Sequence, residues 1–84
     1  MKKITVRYFA SIREAVGAGQ EVVETAAATL GALRDELIAR GGAHAASLAR
    51  GKAVRIALDQ TLSDESAALP DAAEVAFFPP VTGG

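Results

Sequence analysis

"TLGALRDELIARGG", residues 29–42, carries the one sustained helical period of this 84-residue chain. Leu30, Leu33, Leu37 and Ile38 fall at i, i+3, i+7 and i+8, which puts four apolar side chains on one helical face. Thr29 is the candidate N-cap, and Gly41 and Gly42 end the helix. A helix of about a dozen residues with Gly31 in its first turn is marginal in isolation, so it must lie on another layer.

The flanking segments identify that layer, because they alternate with the period of a strand. Ile4, Val6 and Tyr8 point one way and Lys3, Thr5, Arg7 and Phe9 the other. "SIREAVGAG" (11–19) predicts one or two helical turns from a Ser11 cap to a glycine stop, and "QEVVE" (20–24) a short strand. Beyond the main helix, "AHAASLARGK" (43–52) reads as a loop or short helix. "AVRIALD" (53–59) reads as a strand with Val54, Ile56 and Leu58 inward, and "QTL" (60–62) starts a further short one. "EVAFF" (74–78) is the last strand, with Val75 and Phe77 inward, and Pro79–Pro80 stops it because neither residue can donate to a ladder. The expected fold class is α+β: a mixed sheet of four to five strands, covered on one face by one main helix plus short helices.

That arrangement leaves the other face of the sheet open. Strand parity places Phe9 and Phe78 there beside Arg7, Arg55 and Glu74, and Leu62 is a third apolar residue without a core assignment. Such a cluster on an uncovered face favours a protein-binding patch.

Composition narrows the function classes. Half of the residues are hydrophobic, enough for one small domain, expected over residues 1–80 with a flexible tail over 81–84. Cysteine is absent, which excludes disulfides, thiolate zinc sites and a thiol nucleophile. No run approaches the roughly 18 apolar residues of a membrane span, so the expected location is the cytoplasm. Net charge is −1, giving no reason to expect nucleic acid. Residues 1–55 hold nine basic against five acidic residues and residues 56–84 only five acidic ones, which predicts attraction of the C-terminal third to a basic surface.

The side chains form no recognisable active site. His44 has no second ligand and reads as a surface residue, so no metal site is expected. "GAGQEV" (17–22) has Val22 where a dinucleotide fingerprint has its third glycine, and "GKA" (51–53) lacks the Ser/Thr of a phosphate loop. Asp35–Glu36 and Asp64–Glu65 read as solvated pairs. What remains is the α-carboxylate of Gly84, ionised at neutral pH with a reference pKa of roughly 3.5. Such a group can attack the α-phosphorus of a nucleotide in a partner enzyme, and the acyl-adenylate can then be opened by sulfur or nitrogen. In "FFPPVTGG" (77–84), Pro79–Pro80 favours an extended exit, Val81 and Thr82 supply reach, and Gly83–Gly84 fits a narrow channel. Four residues beyond the prolines project about 13 Å.

"FFPPVTGG", with "YFASIREAVG" (8–17), "TLGALRDEL" (29–37) and "ALDQTL" (57–62), resembles the small, sulfur-carrier subunit of molybdopterin synthase, a ubiquitin-like β-grasp family. The resemblance implies that Gly84 is adenylated by an ATP-using enzyme and converted to a thiocarboxylate. It also implies that the tail then enters the large synthase subunit and donates sulfur to cyclic pyranopterin monophosphate, building the dithiolene that binds molybdenum. The chain would be no enzyme by itself and would bind no cofactor, ATP being used by its activating partner. Phe9, Arg13, Leu62 and Phe78 match the family's subunit contacts, next to Pro79 and Pro80. The chain departs from the family pattern at Asp59, where Asn is frequent, and at Ala72–Ala73, where Gly-Asp is. Three other readings stay open: the carrier of thiazole synthesis, a protein modifier joined through Gly84 to lysine amines, and a non-covalent binder with an inert tail.

Overall fold

The computed structural model describes residues 1–80. Val81, Thr82, Gly83 and Gly84, for which the sequence predicts a projecting flexible tail, lie outside the described residues. The elements run β1 (Lys2–Tyr8), α1 (Ala10–Val16), β2 (Gln20–Thr25), α2 (Leu30–Ala39), α3 (Gly42–Leu48), β3 (Arg55–Leu58), β4 (Thr61–Leu62) and β5 (Glu74–Phe78). They build a five-stranded sheet in the order β2-β1-β5-β3-β4. β1 and β5 pair in parallel at its centre, and the other pairs are antiparallel. This is the α+β β-grasp arrangement that the sequence predicts.

One face of the sheet carries the core. Ile4, Val6 and Tyr8 of β1, Val75 and Phe77 of β5 and Ile56 of β3 are buried, as their alternation requires. Leu30, Leu33 and Leu37 of α2 pack onto them, joined by Ile12, Leu48 and Leu69. Ile38, the fourth member of the helical stripe, sits at the margin, partly buried. Thr29 caps α2 as predicted, its hydroxyl accepting the Ala32 N–H at 3.1 Å.

The start of α1 differs from the sequence reading. Ser11 is not the cap; the helix begins at Ala10, with Phe9 as the capping residue and no side-chain cap bond. The sheet imposes this start, because the Phe9 N–H donates to Phe77 O at 3.1 Å while the Phe9 carbonyl accepts from Ile12 and Arg13. Gly17 closes the helix in the left-handed region at φ 85°.

The alanine-rich segment, readable as loop or short helix, is the helix α3. Arg34, 3% exposed, ties down its C-terminal end: Nε donates to Leu48 O and a terminal nitrogen to Ala49 O, each at 2.8 Å. The same guanidinium reaches Glu65 at 3.1 Å, and Arg50 also pairs with Glu65. Glu65 is therefore no solvated partner of Asp64. Asp35 and Glu36 stay exposed, as a solvated pair should, but neither lacks a partner: Asp35 accepts from Arg50 at 2.8 Å and Glu36 from Thr25 Oγ1 at 2.6 Å. Nor does the acidic C-terminal third form one surface. Glu65 is held against the helices, Glu74 lies 3.7 Å from Arg7 on the sheet, and Asp71 accepts the Lys3 N–H.

Two turns resolve the departures from the family pattern. Asp59 and Gln60 form the two-residue loop between Leu58 and Thr61, both with positive φ (48° and 71°), as the mirror-image hairpin turn demands. Asn tolerates that geometry well. Ala72 also has positive φ, 63°, where glycine carries no penalty. Bonds hold both turns: the Asp59 N–H donates to Glu74 O, the Glu74 N–H to Asp59 Oδ1, and the Ala72 N–H to Lys3 O.

Candidate protein-binding face

All three helices share one side of the sheet, so the side chains of alternate parity line the other. Cross-strand register orders them. Leu62 of β4 stands opposite Ala57 of β3, Ala57 opposite Ala76 of β5, and Ala76 opposite Arg7 of β1. One step towards the chain exit, Arg55 faces Phe78. One step the other way, Glu74 faces Thr5, and Thr5 faces Val22 of β2. Residues paired across a ladder share a face, so this row structure assigns Phe78, Leu62 and Val22 to the open side.

Phe9, Phe78, Ala57 and Ala76 line a shallow depression whose polar rim is Arg7, Gln60 and Glu74. The alanines form its floor because the larger residues stand at its edges. Phe9 is 38% exposed and Leu62 60% exposed. The Arg7 guanidinium lies 5.1 Å from the Phe9 ring centroid, a cation–π contact that holds the ring against the sheet. The arrangement has the anatomy of an interface, an apolar centre with a charged rim.

The structure brings Phe9 and Phe78 together, with Leu62 one strand pair away along the Ala57 row. Arg13 is placed differently. It is exposed on α1, and its guanidinium packs towards Gly19 beside Ala10, Glu14 and Gly17, in a separate depression. Pro79 and Pro80 are partly buried at the exit, Pro79 at the mouth of a groove between α1 and α3. Gly84, Gly83, Thr82 and Val81 lie outside the described residues.

Sequence reading missed Val22, which at 59% exposure extends the apolar face to the β2 edge. The signal was the adjacent Val22–Val23 pair, since neighbouring strand residues must face opposite ways. His44 is not the plain surface residue expected. It is partly buried, 3.0 Å from Glu21 Oε2 and edge-on to the Tyr8 ring.

Among the described residues, no helix is long and apolar enough to cross a membrane. The chain matches the model of the ThiS family over residues 6–84. It is 40% identical over 81 residues to the molybdopterin synthase sulfur carrier subunit of Haemophilus influenzae and 43% identical over 81 residues to that of Escherichia coli. Both comparisons cover 96% of this chain and 99% of the relative. A chain in the complex of subunits 1 and 2 of molybdopterin-converting factor from Helicobacter pylori superimposes with a TM-score of 0.68 at 26% identity, covering 98% of this chain and 99% of that one.

Proposed function

Because this chain belongs to the ThiS family, we propose that it is the sulfur-carrier subunit of molybdopterin synthase, a non-catalytic partner whose tail carries the reacting group. The observation that supports it most directly is the 40–43% identity, along nearly the full length, to two proteins of that name. The open apolar face fits the role, because a carrier must dock on its synthase without a catalytic site of its own.

In the proposed reaction the Gly84 carboxylate attacks the α-phosphorus of ATP in an activating enzyme, and pyrophosphate leaves. Sulfide then displaces AMP from the acyl-adenylate, leaving a thiocarboxylate. In the large subunit that sulfur attacks a side-chain carbon of cyclic pyranopterin monophosphate and displaces the oxygen which that carbon carries. Water hydrolyses the resulting acyl–sulfur bond, returning the carboxylate and leaving sulfur on the pterin. Two rounds complete the dithiolene. The carrier binds no cofactor and works in the cytoplasm, where its activating enzyme draws on ATP. Phe9, Leu62 and Phe78 dock on the large subunit, Arg13 contacts it from the α1 side, and Pro79–Pro80 aim residues 81–84 into its active site.

Intact-mass measurement of the chain, recovered from cells containing the activating enzyme, tests this. The expected species is heavier by the difference between one sulfur and one oxygen, reacts with a thiol alkylating agent, and converts cyclic pyranopterin monophosphate when mixed with the large subunit. Adducts to lysines of other proteins with no thiocarboxylate form would establish a modifier instead. Sulfur transfer only into a thiazole would establish the other carrier.

A further inference from the structure

The open face ends at the chain exit, but the apolar surface does not. Pro79, directly behind Phe78, also lines a groove on the helical side, floored by Ile12 and Val54 and walled by Ala15 of α1 and Ala46 of α3. The side chains of three polar residues in this groove, Ser11, Ser47 and Lys52, have no partner among the described residues. Ser47 is 9% exposed, and none of the hydrogen bonds formed by the described residues uses its hydroxyl. Lys52 is exposed at the rim, with no acid within salt-bridge distance. Folding satisfies nearby polar groups closely: Arg34 takes the carbonyls of Leu48, Ala49 and Lys52. The Ser47 hydroxyl and the Lys52 ammonium, both lining the groove, are suited to a shared acceptor from outside.

We propose that the partner covering the open face also wraps the exit at Pro79, seating an extended segment in the groove between α1 and α3. A carboxylate of that segment accepts from Ser47 Oγ and Lys52 Nζ. This rests on the reading of the chain as a carrier that docks on a large subunit. Continuity selects the occupant, since Phe78 and Pro79 are consecutive residues on the two sides of the exit. Small side chains on both walls admit an extended backbone, and Lys52 specifies an acidic residue. Gripping the chain on both sides of Pro79 would fix the direction in which residues 81–84 leave, which an interface on the sheet face alone would not do.

The test measures affinity for the large subunit at low and high salt, using Lys52→Glu to reverse the charge and Ala46→Trp to fill the groove. Phe78→Asp serves as reference. Both groove positions are exposed, so the variants are expected to fold, checked by thermal unfolding, and Ala15→Trp fills the opposite wall if Ala46→Trp does not. Binding should weaken about tenfold for each, with the Lys52→Glu loss shrinking as salt is added and the tryptophan loss not. Wild-type affinity for both groove variants overturns the proposal. If Phe78→Asp nevertheless weakens binding, docking through the sheet face stands; if it too binds normally, that reading falls as well. A Lys52→Glu effect confined to adenylation, with affinity for the large subunit unchanged, also overturns it.

Discussion

Three side-chain bonds converge on Glu21 on the helical side. Oε2 accepts from Tyr8 Oη at 2.6 Å and lies 3.0 Å from His44 Nε2, while Oε1 accepts from Arg40 at 2.9 Å. Partial burial alone would raise its pKa, but the bonds to Tyr8, Arg40 and His44 outweigh it and bring the pKa from 4.5 down to about 2. Burial, and then the Glu21 carboxylate, push the Tyr8 phenol the other way, well above its ordinary range. A carboxylate whose folded pKa is lowered stabilises the fold fully above its unfolded value. It loses that contribution as protonation of the unfolded chain begins near pH 4.5 and the folded pKa near 2 is approached. Glu21→Gln should therefore lower stability on the order of 1–2 kcal/mol at neutral pH, discounted for partial exposure, and flatten the acid limb of the stability curve. Urea midpoints between pH 7 and pH 2.5 check this; equal pH slopes for variant and parent would show that Glu21 titrates normally. His44 read as a surface residue because its partner lies 23 positions away, and composition around a residue does not reveal such pairing.

Elements were legible where one period dominated. The α2 stripe, the β1 and β5 alternation and the Pro79–Pro80 stop all follow from local pattern, and the structure keeps them. The start of α1 was not legible, because a backbone bond from Phe9 to Phe77, 68 residues on, sets it. α3 was ambiguous because alanine gives no apolar contrast from which to read a period; Arg34 decides its placement from outside. The turns test how much local chemistry matters. Ala72 has φ 63°, a conformation costing an L-residue roughly 1–2 kcal/mol, yet its N–H is bound to Lys3 O and Asp71 Oδ1. Ala72→Gly keeps those bonds and removes the Cβ penalty, at some cost in unfolded-state entropy. The expected net gain is about 0.5–1 kcal/mol, seen as a higher urea midpoint at unchanged m. A destabilised variant would mean that the alanine methyl contributes packing the turn depends on.

For the whole molecule, the division of labour between the two sheet faces decides what substitutions do. The helical face holds the core, so its side chains stabilise the fold; the open face contributes Phe9, Val22 and Leu62 to solvent and gains little stability from them. Parity made most of that face legible, since a period of two assigns sides from residue order alone. Arg13 was grouped with Phe9 through the family pattern, yet it points to a separate depression, because helical geometry in α1 replaces strand alternation immediately after Phe9. From the unequal roles of the faces, Leu62→Asp and Phe78→Asp should behave differently in two assays. Leu62, 60% exposed, should change the unfolding midpoint by less than about 0.5 kcal/mol, and Phe78, partly buried opposite Arg55, by more. Each should weaken binding to the large subunit by at least about tenfold, Phe78→Asp the more, because a carboxylate at the apolar centre must be desolvated on docking. Titration calorimetry against the large subunit, read beside urea melts of the free carrier, separates the effects. Affinity lost only in proportion to stability would mean that the face serves folding rather than docking.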